Sequence, residues 1–319
     1  LEWLETHTFP EESRYTDLEY AIKAYKLFTD TLKKSASTRA VVFGTIHTPA
    51  TSFLMEQLNT TGLKTYVGKV NMDVNCPDNL REKDAQTALD NTDEWLQKNI
   101  GKYQNTSPII TPRFAPVCSE SLLEGLGKLL KKYQLPVQSH LSENLSEIEW
   151  VKKLFPWSSC YGDVYDHYEL FGTVSKTVMA HCVYSTDEET ELLKENGVYI
   201  AHCPQSNINL SSGIAPIRSY LDAGIPVGLG TDMAGGANLS MFRFMADAVG
   251  VSKLYWRLVD QEKKPLTIEE VFYLATKGGG SFFGNTGSFE DGYEMDALIL
   301  DDSGICSTRT LTTKERLER

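Results

Sequence analysis

The sequence predicts a parallel α/β barrel, on three observations. Short β-rich apolar runs alternate with longer amphipathic stretches along the chain, the pattern of repeated βαβ units. Three of those runs end on residues of metal-ligand type: Gln138-Ser-His-Leu-Ser-Glu143, Val178-Met-Ala-His181 and Gly228-Leu-Gly-Thr-Asp232. Carboxyl ends of parallel strands are where such barrels build their active sites. The length of 319 residues, 41% of them hydrophobic, is enough for one barrel around one large core.

In order along the chain, an amphipathic helix over 14–36 precedes the first strand. Strands are expected at 39–45, 64–72, 108–113, 136–141, 176–180, 198–202 and 226–231. Helical patterns fall between them at 53–59, 83–98, 119–133, 145–154, 187–196 and 214–223, with further helices at 239–258 and 266–275. Ser119 and Ser142 suit helix caps, and Gly197 and Gly224 suit helix stops. The Lys277-Gly-Gly-Gly280 run lacks the spacing of a phosphate loop and reads as another stop. Seven strands are found where a closed barrel needs eight, so the chain is expected to start just after a first strand. Residues 289–300 predict a turn into a strand outside the barrel, and 311–319 a helix that stops mid-pattern. The organisation expected is a barrel over 1–288, then the start of a return to a small β-sandwich with a truncated terminal helix over 289–319.

Composition narrows the partners. A net charge of −12 and a pI near 5.1 exclude the basic face that nucleic acid requires. Six cysteines without a C-x-x-C pair read as a reduced, cytoplasmic protein. No run approaches the roughly 18 apolar residues of a membrane span, and no signal peptide opens the chain. A neutral or weakly charged small molecule is the partner expected.

His140 and Glu143 lead the candidate site. A histidine at a strand end can bind zinc through one ring nitrogen while an acceptor holds the other. Glu143, three residues on, can reach a substrate and pass a proton to a ring nitrogen without occupying the metal. The plainer reading is a core histidine followed by a capping box. His181 can likewise be a ligand or a buried histidine bonded to a carbonyl. Asp232, among small residues, can bind zinc and take a proton from water, or can cap the helix beginning near Asn238. The joint occurrence at three strand ends, in barrel order, favours the metal. Arg113 closes its strand and can hold a carbonyl oxygen, with Phe114 covering a flat ring; an ion pair and core packing are equally open. His47 and the His202-Cys-Pro-Gln-Ser-Asn207 segment lie at strand ends too, as pocket lining or as structural turns. His7 and His167 sit in polar loops and receive no role.

With these motifs together, the chain resembles the amidohydrolase superfamily, and within it the guanine deaminase branch. The segments that carry the resemblance begin with Leu1-Glu-Trp-Leu4, Thr8-Phe-Pro10, Gly44-Thr-Ile-His-Thr48 and Val67-Gly-Lys-Val-Asn-Met-Asp73. They continue with Thr111-Pro-Arg-Phe114, the three strand-end motifs, Ala201-His-Cys-Pro204 and Leu274-Ala-Thr-Lys-Gly-Gly279. The resemblance implies a (β/α)8 TIM-like barrel of the metallo-dependent hydrolase type, lacking its first strand and most of the flanking β-sandwich. It implies one zinc per subunit, Zn(2+) held by His140, His181 and Asp232, although iron replaces zinc in some relatives. Glu143 becomes the proton shuttle and Asp232 the acceptor of the water proton. Arg113 and Phe114, with His140, Glu143 and Asp232, become the contacts to guanine. The reaction implied is hydrolysis of guanine to xanthine and ammonia, in a cytoplasmic homodimer. An H-x-H pair and a following glutamine complete the family's site, and the chain contains neither, which agrees with the strand count. Two other readings stand beside this one. One is a related deaminase of another aminopurine, a pterin or a triazine. The other is a catalytically dead barrel kept as a binding or scaffold protein, and codons upstream of Leu1 discriminate it.

Overall fold

The computed structural model describes residues 2–304 and 306–318; Leu1 and Arg319, which end two of the segments discussed above, lie outside them. A π-helical turn, Leu4–Thr8, runs into α1 (Phe9–Ser13). The Asp17 carboxylate then caps α2 (Leu18–Leu32) by accepting from Glu19 N at 2.9 Å. Helix α2 buries Ala21, Tyr25, Thr29 and Leu32, one stripe at helical spacing.

The alternation follows as expected: β1 (Arg39–Phe43), α3 (Thr48–Thr60), β2 (Lys64–Gly68), β3 (Val70–Asn71), α4 (Ala85–Asn99), β4 (Thr106–Pro108), β5 (Thr111–Pro112) and α5 (Glu120–Tyr133). Next come β6 (Val137–Leu141), α6 (Leu145–Leu154), α7 (Tyr161–His167), β7 (Thr177–His181), α8 (Asp187–Glu195) and β8 (Tyr199–His202). The chain continues through α9 (Pro204–Asn209), α10 (Ile217–Asp222), β9 (Val227–Leu229), α11 (Met241–Leu258), α12 (Ile268–Tyr273) and α13 (Thr313–Leu317). Every ladder is parallel: β1-β2-β4, β3-β5 and β6-β7-β8-β9, with an Ile110–Val137 bridge joining the β4–β5 strand to β6. The strands thus lie side by side in sequence order with a helix between neighbours, the winding of a (β/α) barrel.

Two expected strands are interrupted. The run over 64–72 breaks at Lys69, and that over 108–113 breaks at Ile109 and Ile110. Facing positions part together, because Val67 pairs Pro108 below the break and Val70 pairs Thr111 above it. The barrel interior is full at this level: a Cβ on Gly68 would lie 1.8 Å from Thr111 Oγ1 and 2.6 Å from Gln138 Nε2.

Two local expectations are corrected. Asn144, not Ser142, caps α6, accepting from Glu147 N at 2.9 Å. Ser142 has φ +47° and donates its hydroxyl to Glu189 instead. The Lys277–Gly280 run does not stop a helix. The backbone stays helical through Gly279 and Gly280, and a Cβ on Gly228 of the β9 strand would lie 2.8 Å from Gly279 Cα. Those glycines let a helix approach a strand closely. Helices α7 and α9 have seven and six residues, too few turns to show a period. Ser119, Gly197 and Gly224 behave as expected, the glycines at φ +62° and +79°.

Among the described residues no strand forms over 289–300. Glu294 and Asp296 instead bind the guanidinium of Arg39 on β1 at 2.7 and 2.6 Å. No helix among the described residues is long and apolar enough to cross a membrane.

Candidate active site

His140 is the fourth residue of β6, and its Nδ1 lies 2.7 Å from the main-chain oxygen of Arg113. A carbonyl only accepts, so Nδ1 carries the proton and Nε2 keeps its lone pair free. His181 ends β7, and its Nδ1 lies 2.9 Å from Asn207 Oδ1, which fixes the same tautomer. The two rings stack at 5.4 Å and 20°. Asp232 follows β9. One ligand atom from each of His140, His181 and Asp232 lies within 4.8 Å of the other two.

Bent backbone makes this possible. His181, Cys182 and Asp232 have φ of +76°, +48° and +44°, values that residues with a Cβ rarely adopt. Pleating alone would send His181 to the same face as Leu141, its register partner. The turn at the strand end swings its ring toward the carboxylates instead. Burial opposes charge on His181, but Glu143 and Asp232 outweigh it and raise its pKa. Burial, with His181 alongside, holds His140 down to about 4, so its imidazole is neutral. Two imidazoles that turn Nε2 toward a carboxylate in a low-dielectric recess suit a divalent cation such as zinc.

Glu143 stands beside this cluster and outside it. Its Oε1 accepts from Ser212 Oγ at 2.8 Å, and its Oε2 lies 3.9 Å from His181 Nε2, as does Asp232 Oδ2. The main chain of Glu143 donates to Glu147 Oε2 at 3.2 Å, and Tyr161 donates to the other oxygen of Glu147. Burial, with the charge of Glu143 nearby, pushes Glu147 up to about 7. Glu189, also buried, takes the Ser142 hydroxyl at 2.7 Å and Gly162 N at 2.8 Å, pinning the same turn.

Arg113 is tied twice. Its carbonyl holds His140, while its guanidinium pairs with Glu12 and sits 5.1 Å from the Phe9 ring. Phe114 is 5% exposed and meets Trp150 edge-on at 6.2 Å. His47 precedes α3, with a buried Nε2 that has no protein partner. His202 is buried with neither ring nitrogen partnered, and burial, with His181 near, pushes its pKa to about 3.

Helix α9 is the part that sequence reasoning left as an open choice. Asn207 orients His181, Asn209 Nδ2 donates to Gly235 O at 2.9 Å, and Gln205 Oε1 accepts from Ala237 N at 2.7 Å. One short helix therefore sets one histidine and the loop that carries Asp232. Two amides and a proline directly after a strand end were the available signal. Asn207→Ala is expected to leave His181 free to rotate and to weaken metal binding by about 10–100-fold. Competition against a chromogenic chelator measures this, and an unchanged affinity would remove Asn207 from the site.

A model of the amidohydrolase family matches residues 1–316. The chain belongs to the amidohydrolase family. Its relatives there include a probable guanine deaminase of Schizosaccharomyces pombe, 43% identical over 94% of this chain and 58% of that protein. The guanine deaminase of Homo sapiens is 40% identical over 94% of this chain and 66% of its own length. The chain thus spans about 58–66% of these curated relatives. A guanine deaminase from C. acetobutylicum, solved with guanine bound in its active site, superposes with a TM-score of 0.96. It is 48% identical, over 100% of this chain and 75% of that one. The parallel βα winding is accordingly the TIM-like barrel of amidohydrolases.

Proposed function

We propose that this protein hydrolyses guanine to xanthine and ammonia. The observation that carries the reading is Glu143 standing beside and outside the His140–His181–Asp232 cluster, in an amidohydrolase 48% identical to a protein that holds guanine in its active site. One zinc per subunit, on His140 Nε2, His181 Nε2 and the Asp232 carboxylate, would supply Lewis acidity that activates water near neutral pH.

The residues of the chain do the rest. Asp232, its side chain 28% exposed, takes a proton from the attacking water. Glu143 delivers a proton to the ring nitrogen next to the amino-bearing carbon, so the adduct stays neutral. As the carbon–nitrogen bond breaks, the proton on Asp232 leaves with the amine as ammonia, and the added hydroxyl returns its proton to Glu143 as the new carbonyl forms. Arg113 shares its five donors between Glu12 and the ring carbonyl, which favours guanine over adenine. Phe114, steadied by Trp150, offers an apolar wall to the purine.

The working unit is a homodimer in this reading. Leu254, Leu258 and Val259 of and beside α11, with Phe272 of α12, supply exposed apolar surface for the contact. Six unpaired cysteines suit a reduced, cytoplasmic setting.

Ammonia release from guanine, measured on the zinc-supplied protein expressed from its complete gene, tests the reading. Release is expected and should vanish in Asp232→Ala. A folded, zinc-loaded protein that releases none would move other aminopurines, pterins and triazines to the front.

A further inference from the structure

We propose that Ser212 is a positioning residue for Glu143: its buried hydroxyl holds one carboxylate oxygen so that the other faces His181 and Asp232. The inference rests on the deamination reading, in which Glu143 moves the proton. Ser212 is 4% exposed and donates to Glu143 Oε1 at 2.8 Å. A buried hydroxyl is costly without a partner, and a carboxylate oxygen at this distance satisfies it. With Oε1 engaged, Oε2 is the oxygen 3.9 Å from His181 Nε2.

The hydroxyl is delivered by a turn with little freedom. Ser212 N donates to Asn207 O at 2.9 Å, and Ser211 takes φ +55°. Gly213 follows at φ +135°, where a Cβ would lie 2.5 Å from Tyr184 Oη and 2.9 Å from Val183 Cγ1. The turn is closed onto the segment just after His181. Asn207 therefore sets His181 with its side chain and Ser212 with its carbonyl, and the ligand and the proton carrier are aligned from one residue. The Glu143 main chain is held separately, by Glu147, so Ser212 governs the carboxylate alone.

In the zinc-loaded protein from the complete gene, Ser212→Ala is expected to lower kcat for ammonia release by about tenfold to a hundredfold, the range for a reacting group displaced by about 1 Å. KM and bound zinc should not change, and Ser212→Thr, which restores a hydroxyl, should recover most of the rate. An unchanged kcat overturns the proposal. So does a Thr variant no better than Ala, or a loss that tracks lost zinc, which marks a merely structural role. Ammonia release by the unsubstituted protein reports on the deamination reading separately. Should that fail, a crystal structure of Ser212→Ala still decides the matter. A carboxylate turned away from His181 and Asp232 supports the proposal, and one that keeps its place overturns it.

Discussion

Glu143→Gln is expected to cut guanine turnover by about 10²–10⁴-fold while the metal content stays at one per subunit, because it removes a proton carrier and nothing else. The amide matches the carboxylate in shape and its oxygen still accepts from Ser212, so the side chain can keep its place. Glu143 is not one of the three clustered ligand residues, which is why metal binding should survive. An amide cannot pick up and release a proton near neutral pH, so the ring nitrogen is left unprotonated as water adds. The measurement pairs kcat for ammonia release with metal analysis of the same preparation. Near-normal turnover would sink the assignment of Glu143, and lost metal would make it a ligand.

The second large effect is on stability. Lys69 is fully buried in the break between β2 and β3, its Nζ 2.6 Å from Glu82 Oε1 and 3.1 Å from Asn71 Oδ1. Burial lowers the pKa of this lysine, and the attraction of Glu82 works the other way. Glu82→Ala leaves the buried ammonium with Asn71 Oδ1 but without its counter-charge and is expected to cost about 3–5 kcal/mol. Urea unfolding of the variant measures this. The double variant Lys69→Met with Glu82→Leu removes both charges and should recover most of the loss, since buried pairs contribute little net stability over apolar residues of similar volume. A single variant within about 1 kcal/mol of the parent would show that Lys69 stays paired or neutral by another route.

These two cases differ in how far the sequence showed them. Glu143 could be singled out as a candidate because a carboxylate three residues past a strand-end histidine is a local pattern. Lys69 was read as one more position in a strand, because nothing in Val67-Gly-Lys-Val70 shows that Glu82 will lie against it. Arg113 falls between: its place at a strand end was visible, and its pairing with Glu12, 101 residues earlier, was not.

The amino-acid sequence by itself determined the parallel βα alternation and placed His140, His181 and Asp232 at the ends of strands. Both follow from local information, namely the period of apolar residues and the residue type at each strand's last positions. Only the tertiary structure decided how those residues are aimed. Positive φ turns at His181 and Asp232 override the pleat, Asn207 reaches back 26 residues to His181, and Ser212 reaches back 69 to Glu143. Hydrogen bonds of that span arise from the winding of the parallel strands, which brings strand ends together whatever their separation in the chain, and no periodicity within a strand records them.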